Sequence, residues 1–457
     1  MVELELARFV VETDYNKLSP EVVKATKRNI LDTLATALAG SAALGCREVV
    51  DLVTELGGRQ ESTLLVYGKR LPSPSAALAN STMAHALDYD DTHDQSVLHA
   101  GVTVVPAALA IAERVGGVSG KELIAAVALG IDLTCRMGIA TKPWIGWILT
   151  SVYGYFGAAT AAAKLLGLDV EGVLNAWGIA YAQASGNLEC VASGALSKRL
   201  QAGFAAKGGV ISALMAERGI TGARESLGGK DGIFNLYQRG EYEPTALTAE
   251  LGKRFEVVNL SYKSYPCCRW THSGIDAASK LGQGISPDEI EEVEARVSEK
   301  AWQSIGEPME VKRRPRNIVD AQFSIPYTMA TALVKGTVGI DDFTEEAIKD
   351  PRILEIASKI KVAVSHVAQR EREISGTEVT VKTRDGRFHS ASVTEAKGHP
   401  KNPMSDEDFV RKFRDCALYA AQPLPPDSVN ALLQLLADLE AATDVGQLAR
   451  LTCGVKK

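Results

Sequence analysis

"GTEVTVKTRDGRFHSASVTEAKG", residues 376–398, decides the fold class. Val379 and Val381 alternate with polar neighbours, Asp385-Gly386 supplies a two-residue turn, and Phe388 and Val393 lie on the return. Period-two alternation on either side of an Asp-Gly turn predicts an antiparallel hairpin. Upstream, "EIEEVEARVSEKAW" (289–302) alternates acidic and apolar residues and predicts another strand. Between these strands, "IPYTMATALVKG" (325–336) and "DPRILEIASKIKV" (350–362) carry helical periodicity. A mixed α+β stretch is therefore expected over residues 266–400.

Outside that stretch the chain reads as helix after helix. In "SPEVVKATKRNILDTLATALAG" (19–40), Ser19 can cap, Pro20 suits the first turn and Gly40 the stop. Val23, Ile30, Leu34 and Leu38 form its apolar stripe. "SGKELIAAVALGIDLTCRMG" (119–138) opens with Ser119 and Glu122 at capping-box spacing. Residues 169–186 and 203–219 continue the pattern, and "HPKNPMSDEDFVRKFRDCA" (399–417) resumes it with Ser405 as the cap. The expected fold is mainly α: a large all-helical domain (1–265 and 401–457) with a smaller α+β lid domain inserted at 266–400. Pro-rich turns mark both edges of the insertion, and ligands favour the cleft between such units.

Composition narrows the function. A net charge of −6 argues against a nucleic-acid groove, and no basic tail points to a membrane surface. The seven cysteines are irregularly spaced without a CxxC pair, which predicts reduced thiols in a cytoplasmic protein and argues against a zinc or iron–sulfur site. "MVELELARFV" lacks the basic start of a signal peptide. The Ala-rich run at 153–168 is broken by Lys164 and several glycines, unlike a membrane span.

"ALDYDDTHDQSVLHAGVTVVPAALA" (86–110) concentrates the candidate chemistry. Asp90, Asp91 and Asp94 spell DDxxD, the motif with which isoprenoid synthases hold magnesium and diphosphate. No second acidic motif accompanies it, and 6% aromatic residues is little for a carbocation cavity. A second reading is a solvated helix end, with His93 and Asp94 exposed, although acids there oppose the helix dipole. In the third, a helix from about Pro74 runs to residue 92, so His85, Asp88 and Thr92 share one face. His99 then follows in a loop ahead of a helix at Pro106, and the converging groups bind an acid and shuttle a proton.

Two further stretches supply candidates. In "SYKSYPCCRWTHSGIDAA" (261–278), Lys263 precedes a Tyr-Pro turn, and Cys268 and His272 share a face if helical. The alternative there is a hinge with a core cysteine and a capping histidine. In "ASGALSKRLQAGFAAKGG" (192–209), Lys198 follows a Gly/Ser-rich entry, placed either to bind a carboxylate or to sit in solvent.

Taken in order, "AHALDYDDTHDQSVLHAG", "SKRLQAGFAAKGG", "YKSYPCCRWTHSGIDAA" and "FSIPYTMATALVKG" resemble the MmgE/PrpD family over essentially the whole chain. The resemblance implies a helical domain with an inserted lid, a homodimer, and an active site in the cleft needing no metal or organic cofactor. The implied chemistry is proton removal next to a carboxylate, by a lyase (a dehydratase of a small hydroxy-carboxylic acid) or by an isomerase or epimerase. A noncatalytic carboxylate-binding protein is the rival from another class. The resemblance assigns site positions to Asp88, Thr92, His99, Lys198, Lys263 and Tyr327. His99 is then the base or acid with Asp88 as partner, the two lysines hold the carboxylate, and Tyr327 or Cys268 supplies the other proton. Thr92 and His272 are expected substrate contacts. Two departures stand out. "WILTSVYG" places Ile148 and Leu149 where family dehydratases and decarboxylases have His-Pro, and Cys268 replaces a decarboxylase histidine. Ile148, beside Trp144 and Trp147, implies a substrate with a more apolar arm or one fewer carboxylate.

Overall fold

The computed structural model describes residues 1–142, 145–365, 374 and 376–454. It is mainly helical. The expected caps form: Ser19 accepts from the Val22 amide at the start of Pro20–Gly40, and Ser119 and Glu122 close a capping box on Gly120–Ala140. By length and composition Gly120–Ala140 could cross a membrane, but its apolar window is entirely buried inside the fold. It is a core helix, packed against Leu149–Leu165. Small residues make this closeness possible: at Gly130 a β-carbon would run into the Gly157 carbonyl of the neighbouring helix.

The buried apolar residues form two clusters. The larger gathers helices from Leu6 to Leu260 and takes in Phe409, Phe413, Leu432 and Leu448 from the last segment of the chain. The smaller runs from Cys267 to Val381 and packs His272–Gly282 and Ile325–Lys335 with a four-stranded sheet. Strand order is Ile360–Val364, Ile290–Val297, Thr377–Thr383, Phe388–Val393. The first pair is parallel and the others antiparallel, with Val379 opposite Ala391 in the hairpin. Gly386 takes the left-handed conformation (φ 85°) that the turn requires.

Several local expectations are corrected. The N-terminal part is not all helix, because Ser62–Thr63 pairs with Arg70–Leu71 and Thr92–His93 pairs with Leu260–Ser261. "DPRILEIASKIKV" is helical only over Pro351–Ser358, and its β-branched end joins the sheet as Ile360–Val364. The helix expected to reach residue 92 ends at His85, and Asp88 adopts φ 53°. Extending that helix would line up carboxylates at its negative end; as a loop, the chain turns each of them toward its own donors. The next helix starts at Gly101, with Pro106 inside it.

Candidate active site

The short ribbon between Thr92–His93 and Leu260–Ser261 brings the acidic loop against the segment carrying Lys263 and Cys268. None of Asp88, Asp90, Asp91, Thr92, His93 and Asp94 is more than 5% exposed. Burying that much charge is tolerable only with partners for each group. Asp88 Oδ1 receives Lys198 Nζ at 2.6 Å and lies 3.2 Å from Lys263 Nζ, which also donates to the Asp88 carbonyl at 2.8 Å. Burial pushes the Asp88 carboxyl up, but the two ammonium groups outweigh it and hold it well below the usual carboxylate range. Burial likewise pulls Lys263 down, and Asp88 and Asp90 reverse this, leaving it raised and charged.

Asp90 receives the Nδ1–H of His85 at 2.8 Å and lies 3.4 Å from His99 Nδ1. Asp91 accepts from the Ala100 and Gly101 amides, both at 3.1 Å, and so caps the helix Gly101–Val115. A β-carbon at Gly101 would overlap that carboxylate and displace it from its amides. Asp94 accepts from Ser261 Oγ at 2.9 Å and faces Arg269 at 3.4 Å.

The isoprenoid-type reading fails on this geometry. Asp90, Asp91 and Asp94 are turned to three different sets of internal partners rather than to one shared ion. His85, Asp88 and Asp90 do bring ligand-type atoms within 4.8 Å of one another. There, however, Asp88 is already gripped by two ammonium groups that would repel a metal ion, and Asp90 is bound to His85. The donor set fits an ion-pair network and does not fit a metal centre.

His99 lies at the cavity wall. Its Nδ1 is 2.5 Å from the Asp91 carbonyl, which can only accept, so Nδ1 carries the proton and Nε2 keeps its lone pair. Among the described residues no protein donor is recorded on Nε2. Burial is the largest influence on this imidazole, and with Lys263 nearby it pushes the pKa down to about 3 despite Asp90. Thr92 Oγ1 is 3.3 Å from His99 Nδ1, and Thr150 Oγ accepts from the His99 amide at 3.0 Å.

His85, Asp88, Thr92, His99, Lys198, Lys263 and Cys268 all line one cavity of about 90 Å³. Arg269, Trp147, Ile148, Leu149 and Phe323 join them. Burial pushes the Cys268 thiol up to about 11, so it is present as a proton-bearing thiol. Ile148 sits at the N-cap of Leu149–Leu165, where the chain turns into the cavity. Trp147 stacks on Tyr237 at 4.5 Å, while Trp144 lies outside the described residues.

Two expected site residues are elsewhere. Tyr327 is fully buried in the smaller cluster and donates to the Asp342 carbonyl at 2.6 Å. His272 opens its helix, after a 3-10 turn that separates it from Cys268, at 3.3 Å from the Cys267 carbonyl and 3.5 Å from Arg269. His93 and Asp94 are not the solvated residues the sequence suggested. His93 accepts from the Ser96 amide on Nδ1 and donates Nε2–H to Glu256 at 3.2 Å, so it staples the ribbon from inside.

Sequence reasoning also missed Lys412. Its ammonium, buried on the helix Asp406–Leu418, donates to Asp32 Oδ1 (2.7 Å) and to the carbonyls of Tyr89 (2.8 Å) and Lys263 (2.9 Å). It fixes the backbone of both charged segments from behind. The one available signal was a lysine on the apolar face of an amphipathic helix, beside Phe409, Phe413 and Cys416.

Comparison with known proteins identifies the family. The MmgE/PrpD N-terminal domain matches residues 4–245, and the C-terminal domain matches 265–426. Cis-aconitate decarboxylase of Aspergillus terreus is 27% identical, aligned over 100% of this chain and 96% of that protein. The cis-aconitate decarboxylase of Homo sapiens is 27% identical over 96% of this chain and 91% of its own length. The 2-methylcitrate dehydratase of Salmonella typhimurium is 27% identical over 56% of this chain and 55% of its own. With both domains matched in order along most of its length, the chain belongs to the MmgE/PrpD family.

Proposed function

We propose that the protein is a cofactor-independent lyase, a dehydratase that removes a proton next to the carboxylate of a small hydroxy acid. The observation that carries this is His99: a neutral imidazole with Nδ1–H pinned to the Asp91 carbonyl and its Nε2 lone pair left for chemistry, in one cavity with two ammonium groups. The named activities of its relatives, decarboxylation and dehydration of carboxylic acids, support a lyase. The substrate carboxylate lies on Lys198 and Lys263. Its arrival puts a negative charge near His99 and raises the basicity of that imidazole. Nε2 takes the proton; the electron pair moves toward the carboxylate as an enediolate, which the ammonium groups stabilise. The carbon–oxygen bond to the neighbouring hydroxyl then breaks. The leaving oxygen takes the Cys268 proton and departs as water, and His99 returns its proton to the thiolate. The products are one alkene and one water.

An epimerase would use the same first step, with Cys268 returning its proton to the opposite face of the carbon. The thiol in place of a second imidazole keeps that reading alive. The two-cluster core supports treating residues 266–400 as a lid over a body formed by 1–265 and 401–457; a homodimer is what the family resemblance implies. Proton NMR in deuterium oxide, with hydroxy acids as substrates, tests the reaction. New alkene signals are expected; deuterium in recovered substrate without alkene marks the epimerase, and neither signal means a binding protein.

A further inference from the structure

The groups assigned to the two halves of the reaction stand on different parts of the molecule. His99 lies between Leu98 and Ala100, Lys198 stands on the helix of Ala202 and Ala205, and Lys263 follows Tyr262; all of those neighbours belong to the larger core cluster. Cys268 belongs to the smaller one. Given the lyase reading above, one unit removes the proton and the other delivers a proton to the leaving oxygen. Elimination therefore depends on how the two are held together.

One side chain spans the join. Gln322, 3% exposed at the end of the helix Ile318–Gln322, donates from its amide nitrogen to the carbonyls of Leu87 at 2.8 Å and Pro266 at 3.2 Å. Carbonyls only accept, so the amide has one orientation and both of its N–H groups are used. Its own backbone carbonyl accepts from the Cys268 amide at 2.9 Å. Leu87 packs on the larger cluster and immediately precedes Asp88, the carboxylate gripped by Lys198 and Lys263. Pro266 stands two residues before the thiol. The support under Gln322 is itself firm. Asn317 caps its helix by accepting from the Asp320 amide at 2.9 Å, and Lys312 donates to the Phe323 carbonyl at 2.8 Å. Leu87, Pro266 and Gln322 line a second cavity, whereas Asp88, Cys268 and Phe323 line the catalytic one, so the tie is built into the wall between them.

We infer that Gln322 is a positioning residue: its amide sets the distance between the Cys268 thiol and the substrate held on Lys198 and Lys263, without touching substrate itself.

Two variants of the intact protein test this. Gln322→Met keeps the length of the side chain and removes both donors. Gln322→Lys restores donors, in the manner of Lys312 and Lys412, each of which holds two carbonyls in this fold. Proton NMR in deuterium oxide, with malate, citrate and their monocarboxylate analogues as probes, follows two rates. One is alkene formation. The other is deuterium entry into recovered substrate, in which His99 takes the proton, exchanges it with solvent and returns a deuteron to the same carbon. In Gln322→Met, alkene formation should fall ~10–100-fold, the scale of a misplacement of about 1 Å. KM and deuterium entry should stay within a few-fold, and Gln322→Lys should regain most of the loss. Unchanged alkene formation in Gln322→Met overturns the inference, as does a parallel fall of both rates or a Gln322→Lys enzyme as slow as Gln322→Met.

A second readout does not depend on the reaction. Alkylation by iodoacetamide, read by peptide mass spectrometry, should be ~10-fold faster at Cys268 in Gln322→Met than in the wild-type protein, because the freed segment opens locally. Cys416, fully buried elsewhere, should keep its rate. Equal labelling of Cys268 in both proteins, or faster labelling of Cys416 as well, counts against the tie. Should the wild-type protein give neither alkene nor deuterium entry, the lyase reading falls while the alkylation rates still decide on Gln322.

Discussion

The hairpin Thr377–Val393 and the segment from His85 to Gly101 are each about seventeen residues long, and they are ordered by opposite means. In the hairpin the ordering cues are local, alternating side chains and an Asp-Gly turn that sets the cross-strand register, and the pairing with Ile290–Val297 is added on its other edge. The acidic segment has almost no regular structure, and its partners lie far along the chain: Lys198 at 110 positions, His93–Glu256 at 163, Asp94–Ser261 at 167. A pattern repeated along the hairpin can absorb the loss of one contact. A buried set of unlike charges cannot, because each removal leaves its partner unpaired in a low dielectric. The difference is testable by substitution.

The largest effect is expected for Lys263→Met. Removing an ammonium group that stabilises developing charge should lower kcat/KM by about 10³-fold, with KM rising and kcat falling together as the carboxylate loses a donor in both states. A steady-state assay that finds only KM altered would reduce Lys263 to a binding residue.

His99→Gln comes next, with kcat lowered at least ~100-fold and substrate affinity changed far less. The imidazole also fixes the pH response. Its folded-state pKa of about 3 lies below the ordinary 6.5, so the unfolded chain takes up a proton that the folded chain refuses. Its contribution to stability is therefore lost as pH falls from 6.5 toward 3. For the free enzyme the base stays unprotonated through the same window, so the acid limb of kcat/KM should begin well below pH 6. Stopped assays between pH 4 and 8 check this; a limb centred near 6.5 would mean that His99 is not the base.

His93→Gln tests the staple. Its neighbour Glu256 would lose a buried donor, so unfolding free energy should drop by ~1–3 kcal/mol, while kcat at low temperature stays within a few-fold. Full loss of activity in a folded variant would move His93 into the chemistry. The smallest effect belongs to the hairpin: Thr380→Ala removes an exposed cross-strand contact to Ser390 at 2.9 Å and should cost ~0.2–1 kcal/mol with no change in rate. A larger loss would show that the sheet is less forgiving than its local pattern implies.

The same contrast explains what could be read in the sequence. Strands and caps were legible because they repeat at short range: the Asp385-Gly386 turn, the Ser119 box and the Ser405 cap formed as expected. Asp88, Thr92, His99, Lys198, Lys263 and Cys268 were legible as a group only through their resemblance to a family, and the structure brings them to one cavity. Periodicity misled at Asp88, where a helix was extrapolated through a residue with positive φ, because the attraction of Lys198 and Lys263 is invisible to a local window. Tyr327 and His272 carried suggestive chemistry in sequence but point to the carbonyls of Asp342 and Cys267. Lys412 gave the weakest signal and turned out to bind three distant elements.

Lys412 has a consequence for the order in which the molecule is made. Its partners Asp32 and Lys263 precede it by 380 and 149 positions. A ribosome adding ~5–20 residues per second needs on the order of ten seconds to pass from Lys263 to Lys412. Throughout that interval the helix carrying Asp32 must either keep its carboxylate in water or take up a proton. A nascent chain can therefore collapse most of its helices early, yet its acidic loop settles only when the ammonium from Asp406–Leu418 arrives.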